Sequence, residues 1–244
     1  MNYPQKVKIK LIILIMPIFS FFTSSAQNFP INKISEKGFI SIFNGKSLEN
    51  WKGDPEYWRV ENGVIVGEVT AENILTENSF LIWKDSLNGD FELKVLFRVS
   101  ERGNSGINYR STKVPHKPFA LKGYQADIDG PNMWTGQNYE ERGRTFLALR
   151  GQITSIEKDS LPIIDGLLGN KKEIKSYIKT KDWNEYHLII SGNVLTHIIN
   201  ERLMSVVIDN DAQNQRFGGL IGVQVHVGPP MKIEFKNFRI KKLN

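Results

Sequence analysis

The chain has 244 residues, 40% apolar, 24% charged and 11% aromatic, with 20 glycines, 10 prolines and no cysteine. That length supports one substantial hydrophobic core, and the composition excludes collagen-like and low-complexity chains. Without cysteine there is no disulfide framework, zinc ribbon, thiol nucleophile or iron–sulfur cluster, and the formal charge of +6 comes partly from the first residues.

Residues 1–26 read as a secretory signal peptide. Lys6, Lys8 and Lys10 form a basic start, Leu11 to Phe22 is apolar apart from Pro17 and Ser20, and Thr23-Ser24-Ser25-Ala26 offers a cleavage site before Gln27. The apolar run is too short to span a bilayer, which takes about 20 residues. The expectation is an exported protein, periplasmic or secreted, with no transmembrane segment in its mature part. Beyond the leader, 29 basic residues face 26 acidic ones. They are spread rather than clustered, so nucleic acid is not an expected partner.

Residues 27–37 read as a lead-in and 38–244 as one domain of short strands. Trp58-Arg59-Val60 and Val64-Ile65-Val66 flank Asn62-Gly63, a strong hairpin signal. Phe91 to Val99 alternates apolar residues along one strand face. Tyr186–Ile190, Val194–Ile199 and Leu203–Ile208, separated by short turns, predict a three-strand meander. Leu220–Val227 and Ile233–Ile240 predict two closing strands around Gly228-Pro229-Pro230. Helical signals are confined to Lys171–Lys179 and one turn over Asp211–Arg216. No βαβ alternation occurs, so one antiparallel β-sandwich is expected.

Three strands carry short, stiff polar groups where a solvated face would carry Lys, Glu and Thr. Asn104, Asn108 and Arg110 alternate with Ile107 and Tyr109; Gln125, Asp127 and Asp129 alternate with Tyr124, Ala126 and Ile128; Gln224 and His226 alternate with three valines. A two-residue spacing fixes their direction and suits a concave sugar-binding face. Between them, Trp134 to Arg144 gathers Trp134, Tyr139, Glu140, Glu141, Arg142 and Arg144 in one loop over that face. Trp134 is placed as a sugar-stacking platform, whereas Trp51, Trp58, Trp83 and Trp183 are placed in the core. His116, His187 and His197 are read as structural.

Several motifs in order carry a family resemblance: Phe43-Asn44-Gly45-Lys46-Ser47-Leu48 with Trp51, Trp58-x-Val60-x-x-Gly63, Asn104-Ser105-Gly106-Ile107-x-x-Arg110, Gly123-Tyr124-Gln125-x-Asp127, Gly222-Val223-Gln224-Val225-His226 and Phe235-Lys236-Asn237-Phe238-Arg239-Ile240. From about Gly38 to Leu243 the chain resembles the 3-keto-disaccharide hydrolase domain family. The resemblance implies a concanavalin-like jelly-roll sandwich and cleavage of glycosides oxidised to a ketone at C3, by hydrolysis or by 1,2-elimination and rehydration. Gln125 stands where many members carry Glu, and the Tyr139–Arg144 loop belongs to a subset of them.

A C3 ketone acidifies the C2 hydrogen, so the reaction needs a base, an enolate-oxygen donor and an acid for the leaving group. Asp127 or Glu140 is expected as base or acid, His226 in either role, and Arg110 or Arg144 at the oxyanion. Asn104, Asn108, Gln125, Asp129, Trp134, Tyr139 and Gln224 are expected to bind the carbohydrate. A divalent cation held by Asp127, Asp129 and His226, with Glu140 in reach, is an open alternative electrophile, and Asp127 with Asp129 could instead bind a structural calcium. Two rival functions stand beside this one. A non-catalytic carbohydrate-binding module uses the same sandwich. A retaining glycosidase would need two carboxylates facing across a groove about 5–5.5 Å apart.

Overall fold

The computed structural model describes residues 36–243, so the expected leader lies outside the described residues. Two β-sheets face each other in an all-β jelly-roll sandwich. The larger sheet runs, edge to edge, β12 (Ile163–Leu167), β11 (Gln152–Ile156), β15 (Arg202–Asp209), β14 (Val194–Ile199), β13 (Asn184–Ser191), β6 (Phe91–Val99), β17 (Met231–Lys242), β4 (Val64–Val69) and β3 (Trp58–Glu61), with β1 (Ile40–Ser41) added to β17. The smaller runs β10 (Thr145–Ala148), β9 (Asn138–Glu141), β8 (Leu121–Asp129), β7 (Asn104–Lys113), β16 (Gly218–Val225), β5 (Ser79–Asn88) and β2 (Trp51–Lys52). One pair departs from the expected antiparallel pattern: β11 runs parallel to β15.

Local chemistry sets the elements. Asn62 and Gly63 both take positive φ, 50° and 78°, the backbone that a two-residue hairpin turn between β3 and β4 requires. The meander forms as β13–β14–β15. The two closing strands β16 and β17 belong to different sheets, so Gly228-Pro229-Pro230 is a crossover rather than a hairpin. Of the helical signals only α1 (Lys171–Ser176) forms, capped by the Asn170 side chain, while 211–216 is a turn.

The core fills the space between the sheets. Leu93, Val95 and Phe97 from β6 meet Ile107, Tyr109, Tyr124, Ala126 and Ile128 from β7 and β8. Trp51, Trp58 and Trp83 are buried there. Trp183 is not: it is half-buried with Lys236 Nζ 3.9 Å and Arg98 4.9 Å from its ring. His197 is fully buried, 2.9 Å from the Tyr109 hydroxyl, and burial depresses its pKa to about 3, so it stays neutral.

Because β-strands alternate, filling the core with Tyr124, Ala126 and Ile128 turns Gln125, Asp127 and Asp129 outward on the smaller sheet. That outer face has two zones. Phe80, Ile82 and Leu121, with Leu220 against them, form a separate apolar cluster. The other zone is polar and opens into a cleft.

Candidate active site

The cleft has a volume of about 220 Å³ and is lined by Asn78, Asn104, Gln125, Asp127, Trp134, Gln137, Tyr139, Glu141, Phe146 and His226. Its floor is β8 and the neighbouring β7. Asp127 is only 8% exposed and accepts hydrogen bonds from Gln125 Nε2 at 2.7 Å and Gln137 Nε2 at 2.5 Å. Gln125 in turn accepts from Gln224 Nε2 at 3.3 Å. The Gln125 side chain lies flat across Gly106, where an added Cβ would sit 2.6 Å from it. Glycine at 106 therefore makes room for this amide chain.

Burial dominates the Asp127 carboxyl and pushes its pKa up to about 7; the two glutamine hydrogen bonds pull against this, and the nearby charges of Asp129 and Glu141 add to it. A carboxyl poised there can take and return a proton near neutral pH.

Gln137 reaches Asp127 because the 130–137 loop folds back on β8, with Asp127 N donating to Gln137 O at 3.3 Å and Gly136 N donating to Asp127 O at 3.2 Å. One wall is aromatic. Trp134 (41% exposed) lies 5.6 Å from Phe146 (46% exposed), and Phe146 meets Tyr139 edge-on at 5.3 Å. Desolvation, then the charges of Glu141 and Asp127, raise the Tyr139 pKa, which keeps its hydroxyl protonated as a donor. On the opposite rim, His226 Nδ1 lies 2.5 Å from Val227 O, so that nitrogen carries the proton and Nε2 is left for a ligand. Asn78 Nδ2 donates to Glu141 Oε1 at 3.2 Å and Asn78 Oδ1 accepts from Val227 N at 2.9 Å, tying the rim together.

The cleft thus joins Asn104, Gln125, Asp127, Trp134, Tyr139 and His226. Other expected site residues lie elsewhere. Glu140 points to the other face of β9, where Arg144 Nε donates to it at 2.6 Å, and Arg144 also binds Asp209 at 2.6 Å and Asp211 at 3.3 Å. Arg110 is buried at one end of the sandwich, donating to Gly192 O at 2.6 Å, Arg216 O at 3.0 Å, Gly89 O at 3.1 Å and Asp90 at 3.3 Å. Neither arginine can reach an oxyanion in the cleft. Asp129 faces outward, but its carboxylate accepts from Met133 N, Trp134 N and Thr135 N at 2.7–2.8 Å, so it holds the loop. Asn108 and Gln224 are fully buried beneath the face and touch no opening.

The donor set for a divalent cation does not assemble, because Asp129 is consumed by the loop and Glu140 by Arg144. Among the described residues no three His, Asp or Glu side chains form a metal-holding group. Two cleft residues, Asn78 and Phe146, were missed in the sequence, and Gln137 and Glu141 belong to the Trp134 to Arg144 loop but were given no role in the site. Glu141 had a usable signal, since it shares a strand face with Tyr139 two residues away.

A family model described as "3-keto-alpha-glucoside-1,2-lyase-like domain" matches residues 38–241. The chain is 25% identical to a 3-keto-disaccharide hydrolase of Bacteroides thetaiotaomicron, over 86% of this chain and 80% of that one. In shape it resembles a candidate glycosyl hydrolase of Parabacteroides distasonis, with TM-score 0.56, 20% identity, and coverage of 84% of this chain and 99% of that one. It also resembles the carbohydrate-binding module CBM66 of Bacillus subtilis, with TM-score 0.50, 13% identity, and coverage of 84% and 96%.

Proposed function

The chain belongs to the 3-keto-α-glucoside-1,2-lyase-like domain family, and from that premise we propose that it cleaves 3-keto-glycosides by proton abstraction at C2, with Asp127 as the base. The observation that carries this reading is the Asp127 carboxyl, lifted to about 7 inside an amide-lined, aromatic-walled cleft. The ionised form takes the C2 proton, and the C–H electrons move to the C3 ketone oxygen. The Tyr139 hydroxyl is the donor best suited to that oxyanion. When the enolate collapses, the C1–O bond breaks and the departing oxygen takes back the proton that Asp127 accepted, while His226 Nε2, which carries no proton, serves as acceptor for the water that adds. Addition of water across the resulting C1–C2 double bond completes a net hydrolysis; without it the reaction is a lyase step. An effect of about 10²–10⁴-fold from the base is expected.

Trp134 and Phe146 offer an apolar surface to the C–H face of a pyranose, and Asn104 and Gln125 offer directed amides to its hydroxyls. The leader composition of residues 1–26 supports an exported protein with Gln27 as the first residue of the mature chain, which intact mass of the secreted product tests. The decisive assay compares 3-keto-glucosides with their unoxidised parents, in the parent protein and in Asp127→Asn. Cleavage of keto forms alone, lost in the variant, is expected. Equal cleavage of the unoxidised sugars would overturn C2 chemistry, and binding without cleavage would leave a carbohydrate-binding module.

A further inference from the structure

A second hollow lies beside the cleft. Its volume is about 390 Å³, and Asn78 lines both. The 74–79 segment and the 117–120 loop wall it together with Asp54 and Tyr57. We propose that this groove binds the second sugar ring of a keto-disaccharide, the ring that leaves, while the oxidised ring sits over Asp127.

Three observations carry the assignment, which rests on the keto-glycoside reading. The first is continuity. The Asn78 side chain is pinned from both ends, to Glu141 Oε1 at 3.2 Å and to Val227 N at 2.9 Å. It therefore stands as a fixed sill that a two-ring ligand would cross, with the scissile oxygen above it. The second is chemistry. Ile74, 48% exposed, and half-buried Phe119 give the groove apolar surface, while Ser79 and Tyr57, whose hydroxyl donates to Asn73 Oδ1 at 3.0 Å and keeps its oxygen as an acceptor, add polar groups. A pyranose has the matching character, with a C–H face and a hydroxyl rim. The Ser79 hydroxyl is buried without a hydrogen-bond partner among the described residues, an unmet polar group of the kind a ligand or an ordered water satisfies. The third is charge. Glu77 pairs with Lys117 and, at 3.5 Å, with Arg142, Arg142 also meets Glu141 at 3.7 Å, and Asp54 adds a further carboxylate to the lining, so this rim has no unmatched cation to attract an anionic ligand. An uncharged polyol fits; a phosphate does not.

Ile74→Trp fills the groove from a position exposed enough to spare the fold. The variant should lose about tenfold or more in kcat/KM on a 3-keto-disaccharide, while cleavage of the methyl glycoside of the same 3-keto sugar stays within about twofold. Equal losses on both substrates, or no loss on either, would overturn the assignment. A second readout separates this proposal from the catalytic one. Methyl α-glucoside, titrated into the ¹⁵N-labelled protein, should shift amide signals in residues 74–79 and 117–120, and these shifts should vanish in Ile74→Trp. Shifts confined to cleft residues such as Asn104 and Asp127, or none, would overturn the groove whatever the protein does to ketones. Groove shifts without turnover of any keto-glycoside would uphold the groove and sink the catalytic reading.

Discussion

The Asp127 carboxyl is the base of the proposed reaction, and its burial has consequences for stability as well as rate. Its pKa is near 7 when folded, against 3.8 as the ordinary aspartate value. Below about pH 4 both states hold the proton and burial costs nothing; as pH rises through 7 the folded state must carry a desolvated charge. The stability associated with the neutral carboxyl is thus lost with rising pH, an effect on the order of 4 kcal/mol in full. Asp127→Asn should therefore become progressively more stable than the parent between pH 4 and pH 8 while being inactive. Urea unfolding at the two pH values checks this, and a constant difference would contradict it. Turnover by the parent should rise with pH through about 7, since the base must be ionised. Gln137 stabilises that ionised form by donating at 2.5 Å. In Gln137→Leu the rising limb of kcat/KM should move to higher pH by about half to one unit, while activity on the alkaline plateau persists. A uniform loss at all pH values would mean that Gln137 binds substrate rather than tuning the base.

At the scale of the element, β9 shows how far alternation can be read and where it was misapplied. Tyr139 and Glu141 face the cleft, whereas Glu140 faces the sandwich interior beside Tyr124 and pairs with Arg144. The spacing was visible in the sequence, so placing Tyr139 at the site already placed Glu141 there instead of Glu140. Arg110 was not legible in the same way. It follows Asn108 by two residues, but β7 is irregular between Tyr109 and Thr112 and Arg110 has φ 45°, so strict alternation breaks at that point. Asn78 was invisible for another reason: it precedes β5 and meets Val227 only because β5 pairs with β16. The two glutamates of β9 should respond oppositely. Glu141→Gln should move the rising limb of kcat/KM to lower pH, because the Glu141 charge helps raise the Asp127 pKa, with little change in melting temperature. Glu140→Gln should leave kcat within a few fold and destabilise by about 1–3 kcal/mol, because Arg144 loses a charged acceptor but keeps Asp209. Parallel kinetics and thermal melts distinguish the two, and a kcat loss confined to Glu140→Gln would reverse the assignment.

The described residues form a sandwich whose candidate site occupies one outer face while its ends are secured separately, and Arg110 does the securing at one end. Its guanidinium donates to carbonyls of Gly89, Gly192 and Arg216, which come from the β5–β6 turn, the β13–β14 turn and the approach to β16. Those turns belong to both sheets. One buried cation therefore satisfies three carbonyls that would otherwise compete for water at the seam. Burial pulls its pKa down, and Asp90, itself held low by Gly192 N and Ser191, is the counter-charge that keeps it ionised. Arginine is needed because a planar fork can serve several acceptors at once, whereas lysine offers a single ammonium centre. Arg110→Lys should leave at least one carbonyl unpaired and lower global stability by about 1–3 kcal/mol, the scale for a buried acceptor left unsatisfied. Turnover per folded molecule, measured well below the melting temperature, should stay within about twofold, since Arg110 lies outside the cleft. If instead kcat collapsed in a variant that melted normally, Arg110 would belong to the active site, and the separation of a fastening end from a reacting face would have to be abandoned.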